Sequence, residues 1–391
     1  MATAPARSHA SADPAELATG LTAARERTLG LVAGLGDDDL ERVHSPLMSP
    51  LVWDLGHIAA FEDLWLVHRQ GGRPMLRPEM GDVYDAFETP RAGRGDLPFL
   101  GHEEAIGYLA EVRGRVLELL AAADGIDDPT THELVIRHEL QHGETMLQTL
   151  QIARIPDHEP SIGLAPPAVL PGATGLELVD VPGGPSGIGA GADGFAYDNE
   201  RPRHVVEVAG FSIGRSPITN ATWLTFAEGG GYERREWWSD EGWAWKEDQD
   251  ITHPEGWTDD GREWRLGRCE PLALDTPVVH VSWFEADAFA RSIGARLPTE
   301  FEWEKAATWN QGTLAGTRDV WEWTAGRFGP YPGFRFHPYR EYSEVFFGGD
   351  FRVLRGGSRA TSPRVASPTF RNWDHPQRRQ IFSGLRIARD A

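Results

Sequence analysis

Cysteine is almost absent from this 391-residue sequence, which contains only Cys269. A single thiol excludes an intramolecular disulfide framework and a metal site built from several thiolates. Any metal in this protein must therefore be held by histidine and carboxylate side chains. No apolar run reaches the length of a membrane-spanning helix, and no apolar segment follows a basic start at the N-terminus. We therefore expect a cytoplasmic location and no membrane partner.

Basic side chains are also few compared with acidic ones. The chain has 38 lysines and arginines against 59 aspartates and glutamates, which gives a formal charge of −21 and a pI near 5.1. This balance disfavours binding to nucleic acid. Apolar residues make up 40% and charged residues 25% of the chain, as in ordinary globular proteins. Two or three domains are expected for a chain of 391 residues.

Tryptophan usage changes along the chain, because only Trp53 and Trp65 of the 15 tryptophans precede residue 154. The first part carries helix-start signals at Asp13-Pro14 and Asp128-Pro129, and its apolar residues recur at intervals of three and four. The predicted helices span about 14–35, 50–69, 102–123 and 129–154. Four such helices favour a four-helix bundle, whose core can receive ligands from facing helices. We predict that residues 1–154 form this domain.

The rest of the sequence has a different pattern. Residues 155–175 are rich in proline and glycine without periodicity, and we predict a linker there. Residues 176–391 alternate short strand-like runs with clusters of Gly, Pro, Asp and Asn, which predicts an α+β domain with long loops held by aromatic packing. The predicted strands are 176–181, 204–211 and 278–283, and the predicted helices are 220–227 and 283–292.

Three histidines are candidate metal ligands. His138 and His142 lie in the fourth predicted helix, one turn apart on the same face. His57 lies in the second predicted helix. Core histidines satisfied by hydrogen bonds are the plainer interpretation of any such pair. Three inward histidines on facing helices, however, can bind one metal ion and leave open coordination positions.

The segment His138-Glu139-Leu140-Gln141-His142 also matches the HExxH signature of zinc hydrolases. Under that alternative, Glu139 would be the general base and a third ligand would come from elsewhere. The spacing alone does not separate a hydrolase from a three-histidine site. The upstream partner motif supplies a histidine, which favours the three-histidine interpretation.

Polar and aromatic residues gather near the C-terminus, in Tyr339–Ser343 and Phe370–Asp374. An aromatic face beside a carboxylate suits a quaternary ammonium ligand, although an aromatic core with solvated charges is the plainer interpretation. Arg91 and Arg94 lie in the loop 85–98. They suit a carboxylate-bearing substrate through bidentate pairing, and surface salt bridges are the plainer explanation.

Longer motifs resemble a known family. The segments PLMSPLVWDL, HELQHGETMLQ and FRNWDHPQRRQIFSG are similar to the sulfoxide synthases of the ergothioneine pathway, the hercynine oxygenase family. Further matching stretches are DNERPRHVVEV, RSPITNATW, GGGYERREWWSDEGWAW, ARLPTEFEWEKA, DVWEWT and VLRGGS. The resemblance covers most of the chain. It implies a DinB-like four-helix bundle followed by an α+β domain of the formylglycine-generating, C-type-lectin-like fold.

The resemblance also implies roles for individual residues. The ligands of an iron(II) ion would be His57, His138 and His142. Hercynine, the trimethylated betaine of histidine, would be bound by Gln141, Tyr342, Asn372 and Trp373. γ-Glutamylcysteine would be bound by Arg91, Arg94 and Asp374, and Tyr339 would be the catalytic tyrosine.

The implied reaction uses O2 to join the sulfur of γ-glutamylcysteine to the imidazole of hercynine and to oxidise that sulfur. Synthases that use cysteine or a selenium donor are the alternatives within this class. A zinc hydrolase and a non-catalytic binder are the alternatives outside it. The sequence departs from the family pattern in a markedly shortened stretch at 306–320, and in Arg359, where tryptophan is common.

Overall fold

The structure, a computed structural model, describes residues 12–160, 164–166, 168–170, 172–309 and 313–391. The chain divides into two compact units, Met1–Gly163 and Leu164–Ala391. This division falls inside the predicted linker 155–175, whose described residues form neither helix nor strand. Residues 1–11 of the predicted helical domain, 161–163, 167 and 171 of the predicted linker, and 310–312 of the shortened stretch lie outside the described residues.

The first unit is helical. Its helices are α1 (Pro14–Val32), α2 (Asp37–Glu41), α3 (Leu51–Glu62), α4 (His102–Ala121) and α5 (Thr130–Ala153). Asp13 caps α1 by accepting a hydrogen bond from the Ala15 amide at 2.9 Å, as the sequence signal predicts. A π-helical segment, Asp63–Gln70, follows α3 directly. The four predicted helices are confirmed, and the predicted helix 50–69 has an α-helical and a π-helical part.

Four buried charges join the four long helices. Arg25 of α1, Glu62 of α3, Arg113 of α4 and Glu139 of α5 form one cluster. Arg25 lies 2.7 Å from each glutamate, and Arg113 lies 2.6 Å from Glu62 and 2.8 Å from Glu139. Each helix contributes one charge, and every charge in the cluster has two partners of opposite sign. The cluster therefore links one side chain of each long helix at a common point in the core of the unit.

The second unit has short strands and four helices among its described residues. The strands are β1 (Leu178–Val181), β2 (Gly184–Ile188), β3 (His204–Val208), β4 (Phe211–Gly214), β5 (Arg262–Arg265), β6 (Arg268–Pro271), β7 (Trp321–Arg327), β8 (Arg352–Arg355), β9 (Asn372–Asp374), β10 (Ser383–Leu385) and β11 (Ala388–Asp390). The helices are α6 (Asn220–Glu228), α7 (Asp240–Asp248), α8 (Trp283–Ser292) and α9 (Glu300–Trp309). The predicted α+β character is confirmed.

The strands form small sheets. One sheet has the order β1-β4-β11 and is antiparallel, and β2-β3 and β5-β6 are antiparallel pairs. The fourth has the order β10-β7-β8-β9, in which only β10 and β7 are parallel. Apolar side chains of β1, β3 and β4 pack against α9 around Phe211 and Ala306. This packing gives the unit a core from which the longer loops extend.

Two strand predictions are wrong in detail. The run 204–211 is two strands, β3 and the start of β4, separated by Ala209 and Gly210. The run 278–283 is not a strand, although Val278 and Val281 are fully buried. His280 has a φ of +63°, in the left-handed region, which interrupts extended backbone. Apolar character in this run therefore reflects burial and not strand structure.

Buried arginine–glutamate pairs connect elements of the second unit. Glu300 and Glu304 of α9 pair with Arg371 and Arg355, and Glu322 of β7 pairs with Arg386. The Glu300–Arg371 contact is 2.7 Å, and the Glu322–Arg386 contact is 2.9 Å. Arg371 directly precedes β9, so the first of these pairs holds the strand that carries Asn372, Trp373 and Asp374. Across the described parts of both units, no helix has the length and apolar character needed to cross a membrane.

Candidate metal centre and substrate-binding residues

Three histidines meet inside the helical unit. His57 lies on α3, and His138 and His142 lie one turn apart on α5. Their candidate ligand nitrogens all lie within 4.8 Å of one another, and Nε2 of His57 is 3.1 Å from Nε2 of His138. Within the ranges that the structure describes, no other group of three or more histidine, cysteine or acidic side chains has this geometry. The three histidines singled out by the sequence therefore do converge.

Two further residues orient the imidazole rings. Nδ1 of His57 lies 2.7 Å from the carbonyl oxygen of Tyr84, and Nδ1 of His142 lies 3.0 Å from Oδ1 of Asp54. Hydrogen bonds donated from Nδ1 favour the tautomer in which Nε2 carries a lone pair, which is the form a metal ion needs. Asp54 is fully buried one turn before His57 on α3. These partners lie outside the residues that the sequence singled out.

Burial keeps His57 and His138 neutral. Loss of hydration lowers the pKa of His57 and of His138 well below the usual range, and the neighbouring His142 lowers both further. Neutral imidazoles with free Nε2 atoms are ligands that suit a divalent transition-metal ion. The donor set therefore fits a metal ion, and the three histidines are a possible metal site.

Glu139 points away from the histidines. Its two carboxylate oxygens accept hydrogen bonds from Arg25 at 2.7 Å and from Arg113 at 2.8 Å, and the residue is 1% exposed. A general base of a zinc hydrolase must reach the metal-bound water. A carboxylate held inside a four-charge cluster cannot do so. The structure gives the zinc-hydrolase alternative no support, because the glutamate of the motif is part of the bundle core.

The two candidate arginines differ in their surroundings. Arg94 is buried, and its Nε, Nη1 and Nη2 donate to the Thr89 carbonyl, the Ser49 hydroxyl and the Ala86 carbonyl at 2.9, 2.8 and 3.0 Å. These contacts use three of its five N–H groups and leave two for a ligand. Arg91 is exposed, and its shortest described contact is 3.4 Å to the carbonyl of Leu47.

Burial also affects Arg94 electrostatically. Loss of hydration lowers its pKa to about 10, and Asp54 opposes this effect. Its guanidinium lies 3.8 Å above the ring of Trp53, and that ring stacks on His57 with a centroid distance of 4.9 Å. Arg94 is therefore connected to the histidine group by packing. Gln141 is half-buried on α5, directly before His142.

In the second unit, three candidate aromatic residues are neighbours. The ring of Tyr342 lies 6.2 Å from that of Tyr339 and 5.8 Å from that of Trp373, and both pairs are nearly perpendicular. Phe328 stacks on Trp373, with a centroid distance of 4.2 Å. Burial raises the pKa of Tyr339, so its phenol is protonated at neutral pH. The structure brings Tyr339, Tyr342 and Trp373 together on a half-buried aromatic surface.

Asn372 and Asp374 flank Trp373 on β9 and are half-buried. Oδ1 of Asn372 accepts from the backbone amide of Trp373 at 2.9 Å. Asp374 accepts from the His375 amide at 2.8 Å and from Nε2 of Gln380 at 3.3 Å. Since successive side chains of a strand alternate between faces, Asn372 and Asp374 share one face of β9 and Trp373 takes the other.

Two protein-family models match the chain. The DinB superfamily matches residues 21–149, and the sulfatase-modifying factor enzyme 1-like domain matches residues 169–318 and 314–391. Both confirm the fold that the motifs imply. Together with the histidine group, they define the class: an enzyme with a DinB helical unit, which carries a possible metal site, and a sulfatase-modifying-factor-like α+β unit.

Relatives identify the family within that class. The hercynine oxygenase of Mycolicibacterium smegmatis is 44% identical over 96% of this chain and 98% of its own length. The hercynine oxygenase of Mycobacterium tuberculosis is 43% identical over 96% of this chain and 99% of its own length. The formylglycine-generating enzyme of Streptomyces coelicolor is 34% identical over only 40% of this chain. The chain belongs to the hercynine oxygenase family, an oxidoreductase family of ergothioneine biosynthesis.

The comparisons also bear on the shortened stretch at 306–320. The alignment with the Mycolicibacterium smegmatis enzyme runs over 427 positions, although this chain has only 391 residues. The relative therefore carries segments that this chain lacks. The two matches of the sulfatase-modifying factor model meet at residues 314–318, inside the shortened stretch. The histidine group and the aromatic surface lie on other segments.

Proposed function

We propose that this chain joins hercynine to γ-glutamylcysteine in an O2-dependent reaction, with iron(II) held by His57, His138 and His142. Two relatives named hercynine oxygenase match nearly the whole chain, which supports the reaction. The observation that carries the metal assignment is the convergence of the three imidazoles, whose candidate ligand nitrogens lie within 4.8 Å of one another. Bound iron(II) would activate oxygen and favour the thiolate form of the sulfur substrate.

The proposed reaction balances without a further reductant. The C–H bond of the hercynine imidazole and the S–H bond of γ-glutamylcysteine break, and a C–S bond forms, which releases two electrons and two protons. Oxidation of the sulfur to the sulfoxide releases two more electrons. O2 accepts all four, and one of its oxygen atoms enters the sulfoxide while the other leaves as water. The product is hercynyl-γ-glutamylcysteine sulfoxide.

The proposed substrate residues have chemistry that suits these molecules. The rings of Tyr342 and Trp373 offer aromatic faces for the trimethylammonium group of hercynine, and Asn372 and Gln141 offer amide groups for its polar atoms. Arg91 and the two remaining N–H groups of Arg94 suit the carboxylates of γ-glutamylcysteine. Asp374 suits its ammonium group. These assignments follow the family motifs residue by residue.

Tyr339 is the proposed proton or hydrogen-bond donor to the reacting oxygen. Its raised pKa keeps the phenol protonated, which is the state a donor requires. Without this donor, oxidation of the thiol to a sulfinate competes with C–S bond formation. We expect Tyr339→Phe to bind iron normally and to convert γ-glutamylcysteine mainly to the sulfinate. Unchanged products, identified by mass spectrometry, would remove Tyr339 from the mechanism.

The first experiment is anaerobic reconstitution with iron(II), followed by aerobic incubation with hercynine and either γ-glutamylcysteine or cysteine. Mass spectrometry of the products then identifies the reaction and the donor together. Formation of hercynyl-γ-glutamylcysteine sulfoxide supports the proposal. If the iron-loaded protein consumes only cysteine, or neither thiol, the donor assignment fails and a synthase for another sulfur or selenium donor replaces it.

A further inference from the structure

A buried carboxylate contacts the segment that carries two of the proposed active-site tyrosines. Asp198 begins the 3₁₀ turn Asp198–Glu200 and is 4% exposed. Its Oδ1 accepts a hydrogen bond from the fully buried hydroxyl group of Ser343. The backbone amide of His337 acts on the same carboxylate and lowers its pKa. One side chain therefore interacts with both ends of the segment 337–343, within which Tyr339 and Tyr342 lie.

The preceding residue strengthens the same connection. The ring of Tyr197 stacks on the ring of Tyr342, with a centroid distance of 4.4 Å and an interplanar angle of 6°. The segment 337–343 contains one short 3₁₀ turn, Arg340–Tyr342, and no strand. Because no sheet ladder holds its backbone, side-chain contacts must fix its position.

The buried carboxylate of Asp198 lowers the free energy of unfolding. Its Oδ2 is buried and has no hydrogen-bond partner among the described residues. Burial raises the pKa of Asp198 to about 6, so the side chain is mostly ionised at neutral pH. An ionised carboxylate with one unpaired buried oxygen destabilises the folded state. Such a group is expected where the position of its neighbours matters for activity.

We propose that Asp198 is a positioning residue for the reaction. Its interactions with the segment 337–343, called the clasp below, set the positions of Tyr339 and Tyr342. The proposal rests on the function proposed above, in which Tyr339 donates to oxygen and Tyr342 contacts hercynine. Asp198 acts through these tyrosines and through Ser343. It touches no reacting atom in this scheme.

Hydrogen exchange of the full-length protein tests the clasp directly. Asp198→Ala and Ser343→Ala should raise amide exchange in peptides covering residues 338–346 by about tenfold, since a hydrogen bond to a charged group is lost. Asp198→Asn keeps an acceptor for Ser343 and should restore protection. Asp180→Ala is the matched control, because Asp180 accepts from Ser212 at 2.6 Å in the same unit but far along the chain. Unchanged exchange in Asp198→Ala would overturn the proposal.

The product ratio tests whether the clasp matters for chemistry. Asp198→Ala should lower the sulfoxide-to-sulfinate ratio at least threefold and raise the KM for hercynine, and Asp198→Asn should restore both. In a Tyr339→Phe background, Asp198→Ala should leave the ratio unchanged, because both act on the same step. If the segment exchanges faster in Asp198→Ala but the sulfoxide-to-sulfinate ratio and the KM for hercynine keep their wild-type values, the positioning role is refuted.

The outcomes separate this proposal from the proposed function. If Tyr339→Phe does not change the products, the proposed role of Tyr339 is wrong. The positioning role through Tyr342 is then tested by the KM for hercynine, which Asp198→Ala should still raise. If the wild-type protein makes no sulfoxide from any donor, the proposed function fails and the positioning role fails with it. The exchange experiment then reports only on the clasp as a structural contact.

Discussion

The helical unit and the second unit both bury arginines against glutamates, but they connect these charges differently. In the helical unit, one charge from each of four helices joins a single cluster. In the second unit, each arginine has its shortest contact with a different glutamate and joins α9 or β7 to a nearby strand or strand end. Arg355 also lies 3.8 Å from Glu300, which links the two pairs on α9, whereas Arg386 and Glu322 form a separate pair. The cluster of the helical unit couples four helices, and the Arg386–Glu322 pair couples fewer elements.

The same difference is seen in the candidate site residues. The helical unit presents its histidines through helix periodicity, with two of them one turn apart on α5. The second unit presents Tyr339 and Tyr342 from a short irregular segment, and Trp373 from a three-residue strand. Helices position the histidines of the possible metal site, and side-chain contacts position the aromatic surface. Variants can test this contrast.

The largest effect is expected from removal of a histidine. His138→Ala leaves two imidazoles and should abolish stoichiometric iron(II) binding after anaerobic reconstitution, as measured by metal analysis. His102→Ala is the control, since His102 starts α4 and pairs with the exposed Asp37 at 2.8 Å. Full iron content in His138→Ala would exclude it as a ligand.

The next largest effect is expected in the charge cluster. Glu139→Gln leaves two buried arginines facing one glutamate, and it should destabilise the helical unit by about 3–5 kcal/mol. Hydrogen exchange should show faster opening of all four long helices. Glu133→Gln on the same helix breaks a partly exposed pair with Arg137 at 3.3 Å and should cost less, about 0.5 kcal/mol.

Glu322→Gln in the second unit sharpens this comparison. It removes the charged partner of Arg386 and disturbs the hydrogen bond that Trp303 of α9 donates to Glu322 at 2.7 Å. We expect destabilisation of about the same size, limited to β7, β10, β11 and α9. Faster exchange restricted to one helix in Glu139→Gln, or spread through the whole second unit in Glu322→Gln, would contradict the distinction between a cluster and a pair.

A smaller effect is expected at Gly56. A Cβ atom at this position would lie 2.1 Å from Cζ and Oη of Tyr84, whose carbonyl accepts from His57. Gly56→Ala should displace Tyr84, destabilise the unit by about 1–3 kcal/mol and weaken iron binding about tenfold. Gly107→Ala on the exposed side of α4, where no atom lies within 4 Å, should be neutral or stabilising. Unaltered iron affinity in Gly56→Ala would show that the Tyr84 contact is dispensable.

The smallest effect concerns the pH dependence of stability in the second unit. Burial lowers the pKa of His280 from 6.5 to about 4, so the unfolded chain takes up a proton more readily than the folded one. The stabilisation from neutral His280 is complete above pH 6.5 and declines as the pH falls towards 4. Between pH 7 and 5.5 the loss is about 1 kcal/mol.

His280→Asn tests this expectation, because asparagine tolerates the left-handed backbone at this position and does not titrate. Denaturant unfolding at pH 7 and 5.5 should show a smaller loss of stability in the variant than in the wild type. Equal losses would mean that other groups account for the acid sensitivity.

The sequence predicted the helical unit more completely than the second unit, for physical reasons. Apolar spacing and the Asp13-Pro14 cap define long helices, and a fixed periodicity of 3.6 residues places His138 and His142 on one face. The contact of Asp54 with a histidine could have been predicted in the same way, because Asp54 lies one turn before His57. The contact of Tyr84 could not, because it depends on a loop that returns to α3 and on a backbone carbonyl, which any residue possesses.

In the second unit, local sequence says less about position. The run 278–283 has the composition of a strand, but the backbone of His280 is left-handed because of tertiary contacts, which no local pattern specifies. The relation between Asp198 and Ser343 spans 145 residues and involves common polar side chains. The roles proposed for Tyr339, Tyr342 and Trp373 therefore rest on family motifs, and the structure shows that the three rings are neighbours.

The arginine partners of Glu139 have a consequence for the classification of proteins by sequence motif. A search for HExxH alone retrieves this chain together with true peptidases, because the pattern records neither where the glutamate points nor what it touches. In this chain the glutamate is held by arginines on two other helices of the same bundle, Arg25 and Arg113. A glutamate held in this way cannot act as a general base, so its partners in the structure, and not the motif, decide between the two classes.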